Sequence, residues 1–131
     1  SKRLIDVTRQ CLGGGIAAVA PGRPFSDIGR AIETHAVANG YEVVRAFVGH
    51  GIGEQFHTDL QIPHYYEPRM TTIMEPGMVF TIEPMISMGT GLHKIWDDEW
   101  NAVIADGSRT SQFEHMLVVT DTAVEILTAA N

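Results

Sequence analysis

The sequence is poor in the features that mark disulfide-rich, membrane-spanning or nucleic-acid-binding proteins. Its one cysteine, Cys11, cannot form a disulfide within the chain, and it stands among Leu12 and Ile16 as a buried thiol would. No apolar run approaches the roughly 18–20 residues that cross a bilayer. Basic residues are scattered singly, nine Lys and Arg against sixteen Asp and Glu. We therefore expect no disulfide scaffold, no transmembrane segment and no nucleic-acid-binding surface.

What is present is typical of one globular domain. The chain has 131 residues, of which 44% are apolar and 19% charged, enough to bury a real core but too few for two. It contains no internal repeat, low-complexity tract or linker. We expect a single domain over residues 1–131 and, because the composition suits a reducing compartment, a cytoplasmic protein.

Hydrophobic spacing predicts two helices. Apolar residues recur near the helical period over 3–20, although three consecutive glycines weaken the middle of that segment. Ser26 is the predicted N-cap of a second helix, which runs to about Asn39 with Gly40 just beyond its end.

Short strands are predicted after the helices. Segments rich in β-formers alternate with turn-forming residues, and the glycine-rich segment 49–53 is predicted as a loop or irregular crossing. The predicted strands are 41–48, 78–83, 85–88, 100–104, 111–119 and 124–127. This order indicates an α+β fold in which two helices pack on one face of a curved, mostly antiparallel sheet.

Four side chains of metal-ligand type interrupt apolar strands or glycine loops: His50, His57, Glu83 and Glu114. Glu83 closes the apolar run 79–82, where a buried carboxylate is costly unless a cation or hydrogen-bond donors compensate it. A histidine between glycines, such as His50, is more often an ordinary hydrogen-bonded loop residue. Two carboxylates and an imidazole without a thiolate cluster favour Mn, Fe, Co or Zn in a hydrolytic centre.

Other chemistry finds less support in the sequence. It contains no nucleophile elbow, phosphate loop or dinucleotide fingerprint. Aromatic residues such as Phe56 and Trp100 could line a pocket for an apolar side chain, but core packing explains them as simply.

Longer motifs surround the four ligand-type residues. They are GHGIG at 49–53, Phe56-His57, His64-Tyr65, EPGMVFTIEPM at 75–85, QFEH at 112–115 and EILT at 125–128. Together they resemble the type I methionine aminopeptidases, with agreement over essentially the whole chain. The sequence TIEPM at 81–85 and the Phe56-His57 pair favour this family over relatives that cleave Xaa-Pro bonds or creatine.

The resemblance implies the C-terminal half of a pita-bread fold around two divalent metal ions, Co, Mn, Fe or Zn. The implied activity removes the initiator methionine from nascent polypeptides by metal-activated water. His50 and Glu83 would bind one metal, and Glu114 would bridge both.

The resemblance also implies roles around the substrate. Glu83 would relay a proton to the leaving amine, and His57 would stabilise the tetrahedral intermediate at the scissile carbonyl. Phe56 and Trp100 would help to form the pocket for the methionine side chain.

Two Asp ligands of the family have no counterpart, because no two Asp residues of this chain have the family's spacing. We expect an N-terminal half to supply them, and we expect the chain alone to be inactive. The expected substrate is the N-terminal Met of peptides and nascent proteins. The alternatives are a non-catalytic pita-bread module that binds peptides or proteins, a related Xaa-Pro metallopeptidase, and a stand-alone α+β domain.

Overall fold

Two helices come first in the chain and short strands follow, in a computed structural model that describes residues 2–52, 60–88 and 110–128. The helices are α1 (Lys2–Ala17) and α2 (Ser26–Ala38). The strands are β1 (Glu42–Val43), β2 (Gly49–Ile52), β3 (Gln61–Ile62), β4 (Val79–Ile82), β5 (Met85–Ser87), β6 (Thr110–Gln112), β7 (His115–Val119) and β8 (Val124–Ile126). This order confirms the predicted α+β class.

The strands form two sheets that meet at Glu83 and Pro84. One sheet has the order β1-β5-β6 and the other β3-β2-β4-β7-β8. Each pairing between these described strands is antiparallel. Since β4 ends at Ile82 and β5 begins at Met85, the two residues Glu83 and Pro84 lead from a strand of the larger sheet to a strand of the smaller one.

The core lies between the helices and the sheets. Cys11 on α1 is buried, as predicted, and its Sγ lies 3.6 Å from the carbonyl oxygen of Ile32 on α2. Phe25, just before α2, packs edge-on against Phe80 of β4 with ring centroids 5.1 Å apart. Burying these apolar side chains fixes α1 and α2 on the strand that leads to Glu83. Within the described parts of the chain, neither helix has the length and apolarity needed to cross a membrane.

The predictions for segments 41–48 and 49–53 were wrong. The first pairs as a strand only at Glu42–Val43, because a turn closed by Phe47 N–H and the Val44 carbonyl follows. The second forms β2 instead of a loop. It pairs with β4 so closely that a Cβ on Gly49 would overlap the Thr81 carbonyl oxygen, and only glycine leaves room for that approach.

Three further boundaries differ from the prediction. The predicted strand 111–119 is two strands in different sheets, β6 and β7, because the chain leaves one sheet and enters the other at residues 113–114. Ser26 is not an N-cap: the backbone is already helical at Phe25, which occupies the cap position without a side-chain hydrogen bond. α1 ends at Ala17, whereas the helical pattern extended to residue 20. The predicted strand 100–104 and part of 49–53 lie outside the described residues.

Gly29 lies where α2 touches the segment that follows β3. A Cβ on residue 29 would overlap the carbonyl oxygen of Tyr65 and lie 2.8 Å from that of Pro63. We predict that Gly29→Ala lowers the free energy of unfolding by about 1–3 kcal/mol, because backbone atoms cannot move aside as a flexible side chain would. Urea denaturation of the full chain measures this loss.

Gly13→Ala is the matched control, since it places the same methyl group on a helix. Apart from the chain around Gly13 in α1, no atom of the described residues lies within 4 Å of a Cβ at this position. This variant should raise the stability by up to about 1 kcal/mol through helix propensity. Equal effects of the two substitutions would show that the contact at Gly29 is not tight.

Candidate metal centre

The pairing of β2 with β4 places His50 on the same face of the sheet as Glu83. Gly51 pairs with Phe80, so His50 comes next, opposite Thr81. Residues directly opposite in an antiparallel pair share a face, and so do residues two apart along a strand. His50, Thr81 and Glu83 therefore project to one side.

The pairing of β4 with β7 brings Glu114 to the same side. Ile82 is opposite His115, and continuing the register by one residue places Glu83 opposite Glu114. Both residues lie just beyond the paired part of their strands. Two carboxyl groups predicted from separate motifs thus become neighbours.

Glu83 and Glu114 interact directly through their carboxyl groups. Burial raises the pKa of Glu83 to about 7, helped by its hydrogen bond with Glu114 and by the negative charge of that neighbour. His50 and a hydrogen bond from Thr81 act in the opposite direction. Two carboxylates this close cannot both be ionised cheaply without a positive charge between them. Their donor set therefore suits a cation, which would replace the shared proton.

Thr81 joins two of the predicted ligands through one hydroxyl. Its Oγ1 accepts a hydrogen bond from the His50 backbone N–H at 3.1 Å, and its hydroxyl hydrogen-bonds to the Glu83 carboxyl group. Thr81 itself is 2% exposed, so its hydroxyl meets little competition from water. A hydroxyl has one proton, and here that proton is directed to Glu83.

The main chain of Glu83 is held by two side chains. Its N–H donates to Nε2 of His64 at 3.1 Å, and its carbonyl accepts from Nε2 of Gln112 at 2.9 Å. His64 is fully buried, and its Nδ1 lies 3.0 Å from the carbonyl oxygen of Phe47. Burial lowers the pKa of His64 to about 4, against the opposing effect of the Phe47 carbonyl. The ring is therefore neutral at pH 7.

The described residues carry part of the predicted site. His50, Glu83 and Glu114 lie on one face, whereas His57 and Phe56 fall within 53–59 and Trp100 within 89–109, outside the described residues. Over the ranges that the structure describes, no three His, Cys, Asp or Glu side chains are gathered closely enough to hold a metal ion. The fit to a cation therefore rests on the facing carboxyl pair, with His50 beside it, and further ligands are needed to complete a cage.

Sequence reasoning missed the residues that hold the ligands in place. His64 belongs to one of the motifs, but the motif predicts no role for it, and no role was predicted for Thr81 or Gln112. The available signal for Thr81 was its polar hydroxyl inside the apolar run 79–82. For His64 and Gln112 no local signal existed, because their partners are backbone groups 19 and 29 residues away in the sequence.

Two curated relatives that resemble this chain over most of its length are methionine aminopeptidases. Methionine aminopeptidase 2 of Mycobacterium tuberculosis is 55% identical over 125 residues, which cover 95% of this chain and 44% of that protein. Methionine aminopeptidase A of a Synechocystis species is 52% identical over 128 residues, or 98% of this chain and 51% of that protein. The chain thus spans about half the length of these relatives.

Solved structures agree with this relationship. Methionine aminopeptidase from Rickettsia prowazekii superposes with a TM-score of 0.80 at 39% identity, covering 98% of this chain and 52% of that one. Prolidase from Pyrococcus furiosus, at 20% identity and a TM-score of 0.71 over 99% of this chain and 33% of its own, shares the fold alone. The predicted fold of the pita-bread type is confirmed.

The family match covers most of the sequence. Metallopeptidase family M24 matches residues 1–121, which include all three described ligand-type residues, His50, Glu83 and Glu114. The match agrees with the resemblance to methionine aminopeptidases that the motifs carry. The chain belongs to metallopeptidase family M24.

Proposed function

We propose that residues 1–131 are the C-terminal half of the catalytic domain of a methionine aminopeptidase, which removes the N-terminal Met from peptides and nascent proteins. The observation that supports this proposal most strongly is the pair of facing carboxyl groups, Glu83 and Glu114, beside His50. This pair occurs in a chain that is 46–55% identical to curated methionine aminopeptidases. Metallopeptidase chemistry gives a reason to keep two carboxyl groups in contact.

The pair, together with His50, would hold part of a two-metal site. Divalent ions bound there would supply an activated water and polarise the scissile carbonyl. Carboxylate and imidazole donors suit Mn, Fe, Co and Zn, and we propose that the metals come from this set. Glu83 and His50 would serve one ion, and Glu114 would serve both.

Residues of this chain would also transfer a proton, stabilise the developing charge and bind the substrate side chain. Glu83 would hold the proton of the attacking water and deliver it to the leaving amine. His57 would stabilise the charge that develops at the carbonyl oxygen, and Phe56 and Trp100 would line the pocket for the methionine side chain. These three assignments rest on the motif resemblance.

A second polypeptide segment, the N-terminal half, is the proposed partner. The chain spans 44% and 51% of two curated relatives, and the family's Asp pair has no counterpart in it. Each missing carboxylate removes a negative charge that would hold a divalent ion. We propose a cytoplasmic location, which suits the single buried Cys11, and no nucleic-acid partner, which suits the net charge of −7.

The alternatives predict different behaviour. A non-catalytic binding module has no use for two facing carboxyl groups, since a protonated pair contributes little to a peptide-binding surface. An Xaa-Pro metallopeptidase would need the same ligands, and a choice between Met-Ala and Ala-Pro peptides separates it from a methionine aminopeptidase.

We predict that the chain alone, supplied with Mn²⁺ or Co²⁺, releases no Met from a Met-Ala-Ser peptide. Adding the N-terminal half of the M. tuberculosis relative should restore release, because it brings the two Asp ligands. Liquid chromatography of the peptide products measures this. Turnover by the chain alone that resists a chelator would contradict the proposal.

Glu114→Ala should abolish the restored activity, because it removes the carboxylate that would bridge both ions. Glu125→Ala is the matched control, since Glu125 is exposed on β8 and belongs to no predicted site. The control should keep full activity. If both variants lose activity alike, or neither does, the role assigned to Glu114 is wrong.

Thr81→Val keeps the side-chain shape but removes the hydroxyl that links His50 to Glu83. We predict that the dissociation constant for Mn²⁺, measured by electron paramagnetic resonance on the full chain, rises about tenfold. Thr34→Val, on the exposed face of α2, should leave it unchanged. An unchanged constant in Thr81→Val would show that the hydroxyl does not set the ligand geometry.

A further inference from the structure

We propose that His64 is a positioning residue that fixes the Glu83 backbone against the strand carrying His50, and so sets the separation of two metal ligands. This inference rests on the proposed function of Glu83 and His50. His64 itself is fully buried, so its ring acts through the groups it touches and not on substrate.

Both ring nitrogens of His64 are used by backbone groups. Nε2 lies 3.1 Å from the Glu83 N–H, which can only donate, and Nδ1 lies 3.0 Å from the Phe47 carbonyl, which can only accept. Both bonds form together in one neutral tautomer, with the proton on Nδ1. The ring thus ties the segment that enters β2 to the residue that follows β4.

The ring lies where the backbone ladder between β2 and β4 gives way to side chains. Gly51 pairs with Phe80 within the ladder, but the N–H of His50 bonds to the Thr81 hydroxyl. Two residues after Thr81, just beyond the end of β4, the Glu83 N–H bonds to His64. Two side chains therefore continue the connection that the backbone begins.

Gly49 shows how closely the parts meet. A Cβ on this residue would overlap the Thr81 carbonyl oxygen and lie 3.4 Å from Nε2 of His64. The ring therefore fills the space beside the residue that precedes His50. A displaced ring would disturb both strands at the positions of the two ligands.

The segment carrying His64 is held from the opposite side by α2. The carbonyl oxygens of Pro63 and Tyr65 lie against Gly29, with no room for a side chain between them. The Tyr66 N–H donates to Glu33 of α2 at 2.9 Å. His64 is thus anchored to a rigid helix at its backbone and to the candidate site at its ring.

Arg45 makes a further contact with the segment that carries His64. The guanidinium of Arg45 lies 4.2 Å from the centre of the Tyr65 ring and 3.1 Å from a carboxylate oxygen of Glu33. Arg45 follows β1, so the smaller sheet, α2 and the His64 segment are all connected here. Because the segment of His64 contacts these elements, the His64 ring can position the Glu83 N–H with the precision that a metal ligand requires.

The test compares His64→Gln with His64→Phe in the full chain. Gln keeps one donor and one acceptor, whereas Phe keeps a ring but offers neither. We expect His64→Phe to raise the Mn²⁺ dissociation constant about tenfold or more, and His64→Gln to stay within about threefold of the unsubstituted chain. Electron paramagnetic resonance of free Mn²⁺ gives these constants.

A control separates positioning from general stability. Ile32→Val removes one buried methylene on α2, away from the site, and should lower the melting temperature without changing the Mn²⁺ constant. The proposal is overturned if His64→Phe binds Mn²⁺ like the unsubstituted chain, if His64→Gln is as impaired as His64→Phe, or if Ile32→Val weakens binding equally.

Hydrogen exchange of the Glu83 amide, followed by NMR, separates this proposal from the proposed function. If the unsubstituted chain binds no Mn²⁺ at millimolar concentration, the partial site of this chain does not hold an ion without the N-terminal half, and exchange decides the role of His64 by itself. Slow exchange in the unsubstituted chain and His64→Gln, with fast exchange in His64→Phe, supports positioning. Equal exchange in all three overturns it.

Discussion

The contact between the carboxyl groups of Glu83 and Glu114 is the constraint on which the candidate site depends. Burial and the neighbouring carboxyl group raise the pKa of Glu83 to about 7, because ionising both carboxyl groups is energetically unfavourable. A fold gains nothing from such a pair in stability alone. It becomes useful when a cation is bound between the two groups, which is the role that we propose.

The rest of the described structure keeps this pair in place. Glu83 occupies the short link between two sheets, where regular ladder hydrogen bonds are not available on both sides. Its N–H, its carbonyl and its carboxyl group are instead bonded to His64, Gln112 and Thr81. The helices contribute indirectly, because α2 supports the His64 segment through Gly29. The architecture thus directs several hydrogen bonds to the single residue Glu83.

The sequence allowed the helices, the α+β class and three ligand candidates to be predicted, because each has a local signal: a helical period, or a carboxylate at the end of an apolar run. The segment 49–53 was misjudged because its glycines suggest a loop. In the fold, Gly49 instead allows β2 to approach β4 closely. The break within 111–119 is decided by which sheet each half joins, and no local pattern encodes that. His64 was missed for the same reason, since its partners come from distant segments.

Anomalous X-ray diffraction would show whether a cation binds between the carboxyl groups of Glu83 and Glu114. Crystals of this chain combined with the N-terminal half of a relative would be soaked in Zn²⁺, and data collected on both sides of the zinc absorption edge. We predict an anomalous peak about 2.0–2.2 Å from carboxylate oxygens of both Glu83 and Glu114. Zinc bound elsewhere, with the two carboxyl groups still in contact with each other, would contradict it.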